Sequence, residues 1–558
     1  MKVVIVGGVA GGASAAARLR RLDEHAEIIL LERGPYISFA NCGLPYYIGG
    51  DIPQKSDLTL QTPESFFARF HVDVRVNSEA TEIDPEHKTV TVTSQDGTYQ
   101  ESYDKLILSP GAQPIIPPLE GLPHEKVFTL RNIPDTVRIK EFIQKQAPKS
   151  AVVIGGGYIG VEMAENLVQA GLQVTIVEMA DHVIAPLDID MACDVHLHLQ
   201  AKGVNLALGR QVTAIQTIGE HLQFVLDRGT LEADMAVLCV GVKPDTQFCQ
   251  RAGLLCNQRG SLLVDQHMRT NLEDIYAVGD AVEITNFVTG SKGFLPLAGP
   301  ANRQGRIAAD HICGIPSRYQ GTQGSSILKV FDLTVAATGI NEKAAKAEGL
   351  SFDKMFTYSP SHAGYYPGGS PMSVKVIYEK GTGKILGAQI VGQEGVDKRC
   401  DVLAVAIRAG MTAFDLAQLE LCYAPPYSSA KDPVNMAGFA IENVLTGKVK
   451  TFHWHDVDKL PRDGSVTLLD VRTPGERAMG HIEGFLHIPL DELRSRWQEL
   501  PQGKPVYIHC HSGLRSYIAC RMLSGYGFDC YNLCGGYRLY QSVISGRNIP
   551  DHSCLDPK

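Results

Sequence analysis

Two stretches of the chain repeat one order of apolar and polar positions. Residues 2–34, KVVIVGGVAGGASAAARLRRLDEHAEIILLERG, pass from a β-rich apolar run through a glycine cluster into an apolar-periodic helix. A second apolar strand follows and ends on an acid, Glu32. Residues 150–180, SAVVIGGGYIGVEMAENLVQAGLQVTIVEMA, repeat that order and reach Glu178. Short strands alternating with helices predict doubly wound α/β layers. Beyond residue 325 the pattern changes. SSILKVF, SVKVIYE and KILGAQIVG read as strands and VDKRCDVLAVAIRAGM as a helix, an α+β domain ending near ENVLTGK. A polar stretch at 448–456 reads as a linker. After it SVTLLDVRTPGER, PVYIHCHSGLRSYIACRML and DCYNLCGGY alternate strand and helix once more, predicting another small parallel α/β domain.

The glycines make the first two segments chemically specific. Gly155, Gly157 and Gly160 complete G-x-G-x-x-G, whereas the first segment keeps Gly7 and Gly12 and has Val9 in the middle place. A sharp strand-to-helix turn without side chains lets a pyrophosphate approach the backbone, and the helix N-terminus holds the anion. The acid on the next strand accepts from a ribose hydroxyl. The first candidate set is Gly7, Gly8, Val9, Ala10, Gly11, Gly12, Glu32 and Arg33; the second is Gly155, Gly157, Tyr158, Ile159, Gly160 and Glu178. An acid at Glu178 would repel a 2′-phosphate, which favours NADH over NADPH. TNLEDIYAVGDAVE, residues 270–283, brings a strand to Gly279 and Asp280, where a carboxylate could accept from a sugar-like hydroxyl. The prolines of LILSPGAQPIIPPLEG mark a crossing between domains.

Composition narrows the partners. A chain of 558 residues predicts three or four domains, and 44% hydrophobic with 20% charged residues is ordinary for a globular protein. A net charge of −9 argues against nucleic acid, and no apolar run is long enough to span a membrane. Thirteen cysteines, odd in number and without C-x-x-C, argue for a reducing cytoplasm and against a disulfide framework, a zinc site or any other metal centre.

Cys42 in SFANCGLPYY lies shortly past the first nucleotide unit and has no second cysteine four or five residues on, so it cannot form a local redox disulfide. It stands at a predicted helix start, where a thiolate is stabilised. Together, residues 5–12, SFANCGLPYY, GGGYIG and YAVGDA resemble the single-cysteine pyridine nucleotide-disulfide oxidoreductases. NCGLPYY is more similar to coenzyme A-disulfide reductases than to NADH oxidases or peroxidases. The resemblance implies FAD, NADH and a homodimer in which Tyr365 of SHAGYYPGG and Tyr423 of CYAPPYSSAKDPVNM reach the partner's cysteine. It also implies coenzyme A held near Ser14, Arg18, Arg21, Ser38 and Asn41, with Asn302 and Lys431 from later segments. Arg18 and Arg21 lie three apart, on one helix face that could meet phosphates.

PVYIHCHSGLRS places Cys510 at a strand end, with Arg515 five positions later and a helix following. Such a loop turns backbone N–H groups inward and stabilises a thiolate or its persulfide. Cys-x₄-Arg makes a tighter cradle than a phosphate needs. With LLDVRTPGER before it and NLCGGY after it, the segment resembles a single-domain rhodanese, in which Asp470 and Arg472 brace the fold. Cys530 and Cys534 fall in a predicted strand, which argues against Cys534 as a resolving thiol.

The whole chain thus resembles the coenzyme A-disulfide reductase–rhodanese fusions, a group that includes NADH-dependent persulfide and polysulfide reductases. The expected fold is α/β: two interleaved doubly wound dinucleotide-binding domains, an α+β dimerisation domain and a C-terminal rhodanese α/β domain. The FAD domain would occupy 1–112 and 241–322, the NADH domain 113–240, the dimerisation domain 323–447, the linker 448–456 and the rhodanese domain 457–558. In this reading Cys42, with a lowered pKa supplied by nearby positive charge and N–H donors, reduces small thiol or persulfide substrates, and Cys510 handles sulfane sulfur. Two alternatives stay open: a peroxide- or oxygen-reducing enzyme cycling Cys42 through a sulfenic acid, and a rhodanese unit serving only for docking.

Overall fold

The structure, a computed structural model, describes residues 1–550; the last eight residues of the expected 457–558 domain lie outside the described residues. Contacts divide the chain into two units, Met1–Met179 with Arg210–Gly324, and Ala180–Gly209 with Ser325 onward.

In the first unit, five parallel strands lie in the order Ile275–Ala277, Lys105–Leu108, Lys2–Val6, Glu27–Leu31, Asp73–Arg75. After its first residue, Lys2–Val6 is wholly buried, because the sheet is covered on both faces. Helix Ala10–Leu22 lies on one face against helix Ala298–Ile312, so near that a Cβ on Gly305 would sit 2.2 Å from the Gly11 carbonyl oxygen. An antiparallel sheet of Glu79–Asp84, Thr89–Ser94 and Gly97–Ser102 contributes to the core on the other. A second parallel sheet is inserted between Lys105–Leu108 and Ile275–Ala277. In it Ser150–Ile154 pairs with Gln173–Glu178 and with Met235–Leu238, which pairs with Val127–Thr129. The two crossing segments, Ala112–Pro114 and Val242–Pro244, pair antiparallel. The nucleotide folds are therefore interleaved in sequence.

The second unit contains an antiparallel sheet in the order Ser326–Val330, Leu333–Gly339, Ile385–Gly392, Pro371–Glu379, Phe352–Pro360. A five-stranded parallel sheet follows: Lys450–Phe452, Cys530–Leu533, Val506–His509, Thr467–Asp470, Leu486–His487. The expected linker at 448–456 is thus corrected. Residues 450–452 form an edge strand because Phe452 is buried with Val457, Leu468 and Leu533 while Lys450 stays in solvent.

Residues 180–209, assigned by sequence to the NADH domain, group with this second unit. Helix Ile189–Ala201 lies against helix Gly536–Arg547. A Cβ on Gly546 would be 2.6 Å from that of Cys193, His196 Nδ1 meets the Gly546 carbonyl at 3.1 Å, and Ser542 Oγ donates to Asp194 at 2.5 Å. Nearby, Lys375 is wholly buried, its Nζ 2.8, 2.6 and 2.6 Å from Asp188, Asp190 and Glu342. Burial would raise Glu342, but Lys375 and Lys354 hold it down at about 2. Among the described residues no helix is long and apolar enough to cross a membrane.

Candidate active sites

Both glycine loops follow their first strand directly and turn through left-handed glycines, Gly7 at φ +96° and Gly155 at φ +108°. The helix then returns against the turn: a Cβ on Gly12 would lie 1.9 Å from the Gly7 oxygen, and one on Gly160 1.9 Å from the Gly155 oxygen. Glu32 accepts from the N–H groups of Gly8 (2.9 Å) and Gly34 (2.8 Å), and Glu178 accepts from that of Gly156 at 2.6 Å. These acids fix their loops through backbone N–H groups. Tyr158 opens the second helix and Ile159 is exposed beside it.

A crevice opens over the first loop, lined by Gly7, Val9, Ala10, Gly11, Glu32, Arg33, Gly279 and Asp280. Gly8 and Gly12 stand behind it, Gly8 packed on Leu30 and Ile37. Arg33 pairs with Asp245 at 2.6 Å. Asn41 also lines the crevice, and its Oδ1 is buried without a hydrogen-bond partner. An orphan acceptor in the wall of a cradle made of glycine backbone fits a bound dinucleotide with a donor to spare. Sequence reasoning missed Arg131, whose burial lowers its pKa against the pull of Asp280. It stands just ahead of helix Ile133–Gln146 in the inserted domain, and nothing in its local sequence points to the crevice.

Cys42 sits in the turn Asn41–Gly43, directly before the short helix Leu44–Gly49, and is exposed to solvent. Among the described residues the expected positive surroundings are not found, and the charges that act on the sulfur are acidic. Enough protein encloses the sulfur for desolvation to push the thiol up, and Glu162 and Asp280 push it further. Of the residues expected near coenzyme A, Ser14 and Asn302 meet, Ser14 Oγ donating to Asn302 Oδ1 at 2.5 Å. Ser38 N–H donates to the Gly8 carbonyl, which holds it beside the loop. Arg18 and Arg21 differ in state: Arg18 Nε is engaged by Asp310 at 2.6 Å, and Arg21 is exposed. In the second unit Tyr365 and Tyr423 join hydroxyls at 2.8 Å on an exposed surface, and Lys431 is exposed.

Cys510 follows strand Val506–His509 and is fully buried. Gly513, left-handed at φ +100°, turns its N–H onto the sulfur at 3.1 Å, and Ser516 Oγ donates at 3.3 Å. Asn532 Nδ2, from a neighbouring strand, holds the Gly513 carbonyl at 3.1 Å and so braces the far side of that glycine. Ser516 and Asn532 escaped sequence reasoning; a polar residue in the first turn of the helix that follows the loop was the available signal for Ser516. Arg515 grips Glu476 through two bonds, 2.8 and 2.5 Å, holding that carboxyl at about 2. Arg472 braces Asp470 at 2.8 Å. Cys530 opens its strand, but Cys534 falls just past it and accepts from the Phe356 N–H at 3.3 Å.

Two glycine-loop nucleotide folds, a thiol near their crevice and a following antiparallel domain define a two-dinucleotide-domain flavoprotein oxidoreductase, extended here by a sulfur cradle. The chain belongs to the pyridine nucleotide-disulphide oxidoreductases: that family's model matches residues 1–305, its dimerisation domain 325–433, and a rhodanese-like domain 453–542. The family implies FAD and NAD(P)H. The coenzyme A disulfide reductase of Staphylococcus epidermidis is 36% identical over 444 residues, 78% of this chain and 99% of its own. The structure of reduced Bacillus anthracis CoADR-RHD is 50% identical, TM-score 0.95, covering 98% of this chain and 99% of that one. A NAD-dependent persulfide reductase from A. fulgidus is 39% identical, TM-score 0.91, covering 97% and 100%.

Proposed function

We propose that this enzyme uses NADH and FAD to reduce coenzyme A persulfide, polysulfide or coenzyme A disulfide through Cys42, while Cys510 handles sulfane sulfur. The observation that carries the reading is Cys42, a solvent-exposed residue next to Asn41, which lines the first nucleotide crevice and whose Oδ1 has no hydrogen-bond partner. FAD, when bound, supplies the electron pair that breaks the S–S bond formed on Cys42. Gly7–Gly12, Glu32, Arg33, Gly279 and Asp280 would hold it, with Arg131 beside Asp280. Gly155–Gly160 and Glu178 would hold NADH, the carboxylate disfavouring a 2′-phosphate.

Ser14, Arg18, Arg21, Ser38, Asn41, Asn302 and Lys431 would hold coenzyme A. In a homodimer, the exposed Tyr365–Tyr423 pair would serve the partner's thiol. Cys510 thiolate, fixed by Gly513 N–H and Ser516, attacks a sulfane sulfur, displaces a thiolate and passes that sulfur to the thiol of coenzyme A. Residues 1–112 with 241–322, 113–240 and 323–447 would be the functional domains of the reductase, and the C-terminal domain would begin at its edge strand Lys450–Phe452 instead of at 457. A reducing cytoplasm suits the free thiols.

The test is NADH oxidation by the FAD-loaded chain with each substrate. Cys42→Ser is expected to abolish turnover of all of them, and Cys510→Ser to depress polysulfide and persulfide turnover while sparing coenzyme A disulfide. Oxidation with peroxide but not persulfide would replace this reading with a sulfenic acid cycle, and an inert Cys510→Ser would reduce the C-terminal module to docking.

A further inference from the structure

The Cys510 cradle carries a charge pair that the sulfur's own hydrogen bonds do not use. The sulfur takes the Gly513 N–H at 3.1 Å and the Ser516 hydroxyl at 3.3 Å. Arg515 lies between those residues in the chain, in the first turn of helix Leu514–Gly525. Both of its Nη atoms nevertheless go to Glu476, at 2.8 and 2.5 Å. Glu476 also accepts from the Thr473 N–H at 2.9 Å and from Thr473 Oγ1 at 3.0 Å, which fixes it at the start of helix Pro474–Ala478. A two-bond pair of this kind orients both side chains. It carries no net charge at neutral pH, because Arg515 holds the Glu476 carboxyl at about 2. The other cations that act on His511 are engaged as well, Arg472 by Asp470 at 2.8 Å and Arg538 over the Tyr358 ring at 4.4 Å. Next to the pair in sequence, large apolar side chains stand exposed: Leu514 just before Arg515, and Met479 three residues after Glu476.

Resting on Cys510 as the sulfane-sulfur thiol, we propose that Glu476 sets the donor class of this cradle. By occupying Arg515 it makes the loop take persulfides carried on organic thiols and turn away doubly charged thiosulfate. The two donors differ in the charge they gather. With R–S–SH, the Cys510 thiolate attacks the outer sulfur. A bond from Cys510 to that sulfur forms as its bond to the R–S sulfur breaks, giving Cys510–S–SH and RS⁻. One negative charge is present throughout. With thiosulfate the same attack breaks the bond to the sulfonate sulfur, giving Cys510–S–S⁻ and sulfite. Three negative charges then share the site from start to finish. Neutral dipoles, the Gly513 N–H and the Ser516 hydroxyl, serve the first reaction, whereas the second needs an uncompensated cation. Glu476 removes the one that the loop itself carries, a repulsive device against the wrong donor. Leu514 and Met479 offer contact to an organic body that a sulfonate lacks.

The test uses the FAD-loaded full chain with NADH withheld, so that the reductase cannot turn over. Sulfur transfer is read as thiocyanate formed on cyanide, counted above the Cys510→Ser chain. Glu476→Gln keeps an amide oxygen for the Thr473 N–H and releases the guanidinium. It is expected to raise kcat/KM for thiosulfate about tenfold and to leave that for 2-mercaptoethanol persulfide within about twofold. Added salt should erase the gain. Combining Glu476→Gln with Arg515→Met should return thiosulfate to its wild-type rate. An equal change for both donors, or a gain that survives salt or the loss of Arg515, overturns the assignment.

If Glu476→Gln fails to fold, the wild-type chain answers alone. With each rate divided by that of a free thiol, Cys510 should react with anionic iodoacetate no faster than with neutral iodoacetamide, read on the labelled peptide, and salt should not slow it. A preference for iodoacetate that salt abolishes reveals an open cation and overturns the role. Sulfur transfer that survives Cys510→Ser unchanged would overturn the parent reading instead. Cys510-dependent transfer from the persulfide, with thiosulfate use unmoved by Glu476→Gln, overturns only the part given to Glu476.

Discussion

Lys375→Met tests the buried ion cluster of the second unit. Methionine keeps most of the stem volume and removes the ammonium that lies within 2.8 Å of three carboxylates. Lys354, 2.7 Å from Glu342 and 4.0 Å from Asp190, remains to serve the first closely and the second only weakly. Asp188 and Asp190 then either stay charged in the interior or fold protonated. Taking up a proton at pH 7 from an unfolded value near 4 costs about 4 kcal/mol for each carboxyl. Asp188 keeps bonds from Gln389 Nε2 at 2.7 Å and from the Glu342 N–H at 3.0 Å, which offset part of its share. The net expectation is a loss of about 5 kcal/mol at neutral pH, in line with breaking a buried pair.

The variant's folded state binds more protons than its unfolded state, so the deficit shrinks as pH falls, by up to about 1.4 kcal/mol per unit and carboxyl. Trp454, whose indole N–H donates to Asp190 at 3.3 Å, reports the site by fluorescence. Thermal scans of the holoprotein at one fixed rate should show Tm lowered by about 10–20 °C at pH 7 and converging on wild type toward pH 5. A deficit of the same size at pH 5 and pH 8 would refute the electrostatic account.

Four further outcomes are expected. Gly160→Ala drives a Cβ into the Gly155 oxygen, so KM for NADH should rise about tenfold or more while flavin absorbance per chain is retained. Ser516→Ala removes a donor to Cys510 Sγ and should slow alkylation of that thiol at neutral pH about tenfold, measured by mass spectrometry of the labelled peptide. Glu342, held at about 2, contributes stability that is present above its unfolded value near 4.3 and lost as pH falls toward 2. Acid titration followed by tryptophan fluorescence should therefore show a transition in that window that Glu342→Gln displaces. Glu178→Ser should narrow the preference for NADH over NADPH about tenfold, read as the ratio of kcat/KM values.

What the sequence disclosed was what local chemistry encodes. A glycine loop must carry its glycines, and a cradle at a strand end its cysteine, in consecutive positions, so Gly7–Gly12, Gly155–Gly160 and Cys510–Arg515 were readable. Contributions from distant segments were not. Arg131 reaches the flavin-type crevice from an inserted domain, and Glu162 reaches the surroundings of Cys42 from another helix, reversing the positive environment that thiolate chemistry suggested. The cover of helix Ile189–Ala201 comes from a helix about 350 residues further on, which no local pattern announces. Residues 450–452 were misread because three residues, of which only Phe452 is buried, are too few to show a strand period.

The meeting of Cys193 and His196 with Val543 and Gly546 makes the C-terminal module hard to cut away. A truncation after residue 447 would strip the cover from a helix whose Cys193 and His196 are wholly buried, leaving an imidazole and an apolar stripe facing water. Poor behaviour of such a fragment would then reflect a wounded surface, not lost sulfur chemistry. Recombining this cradle with another reductase would call for grafting the facing residues of 189–201 along with it.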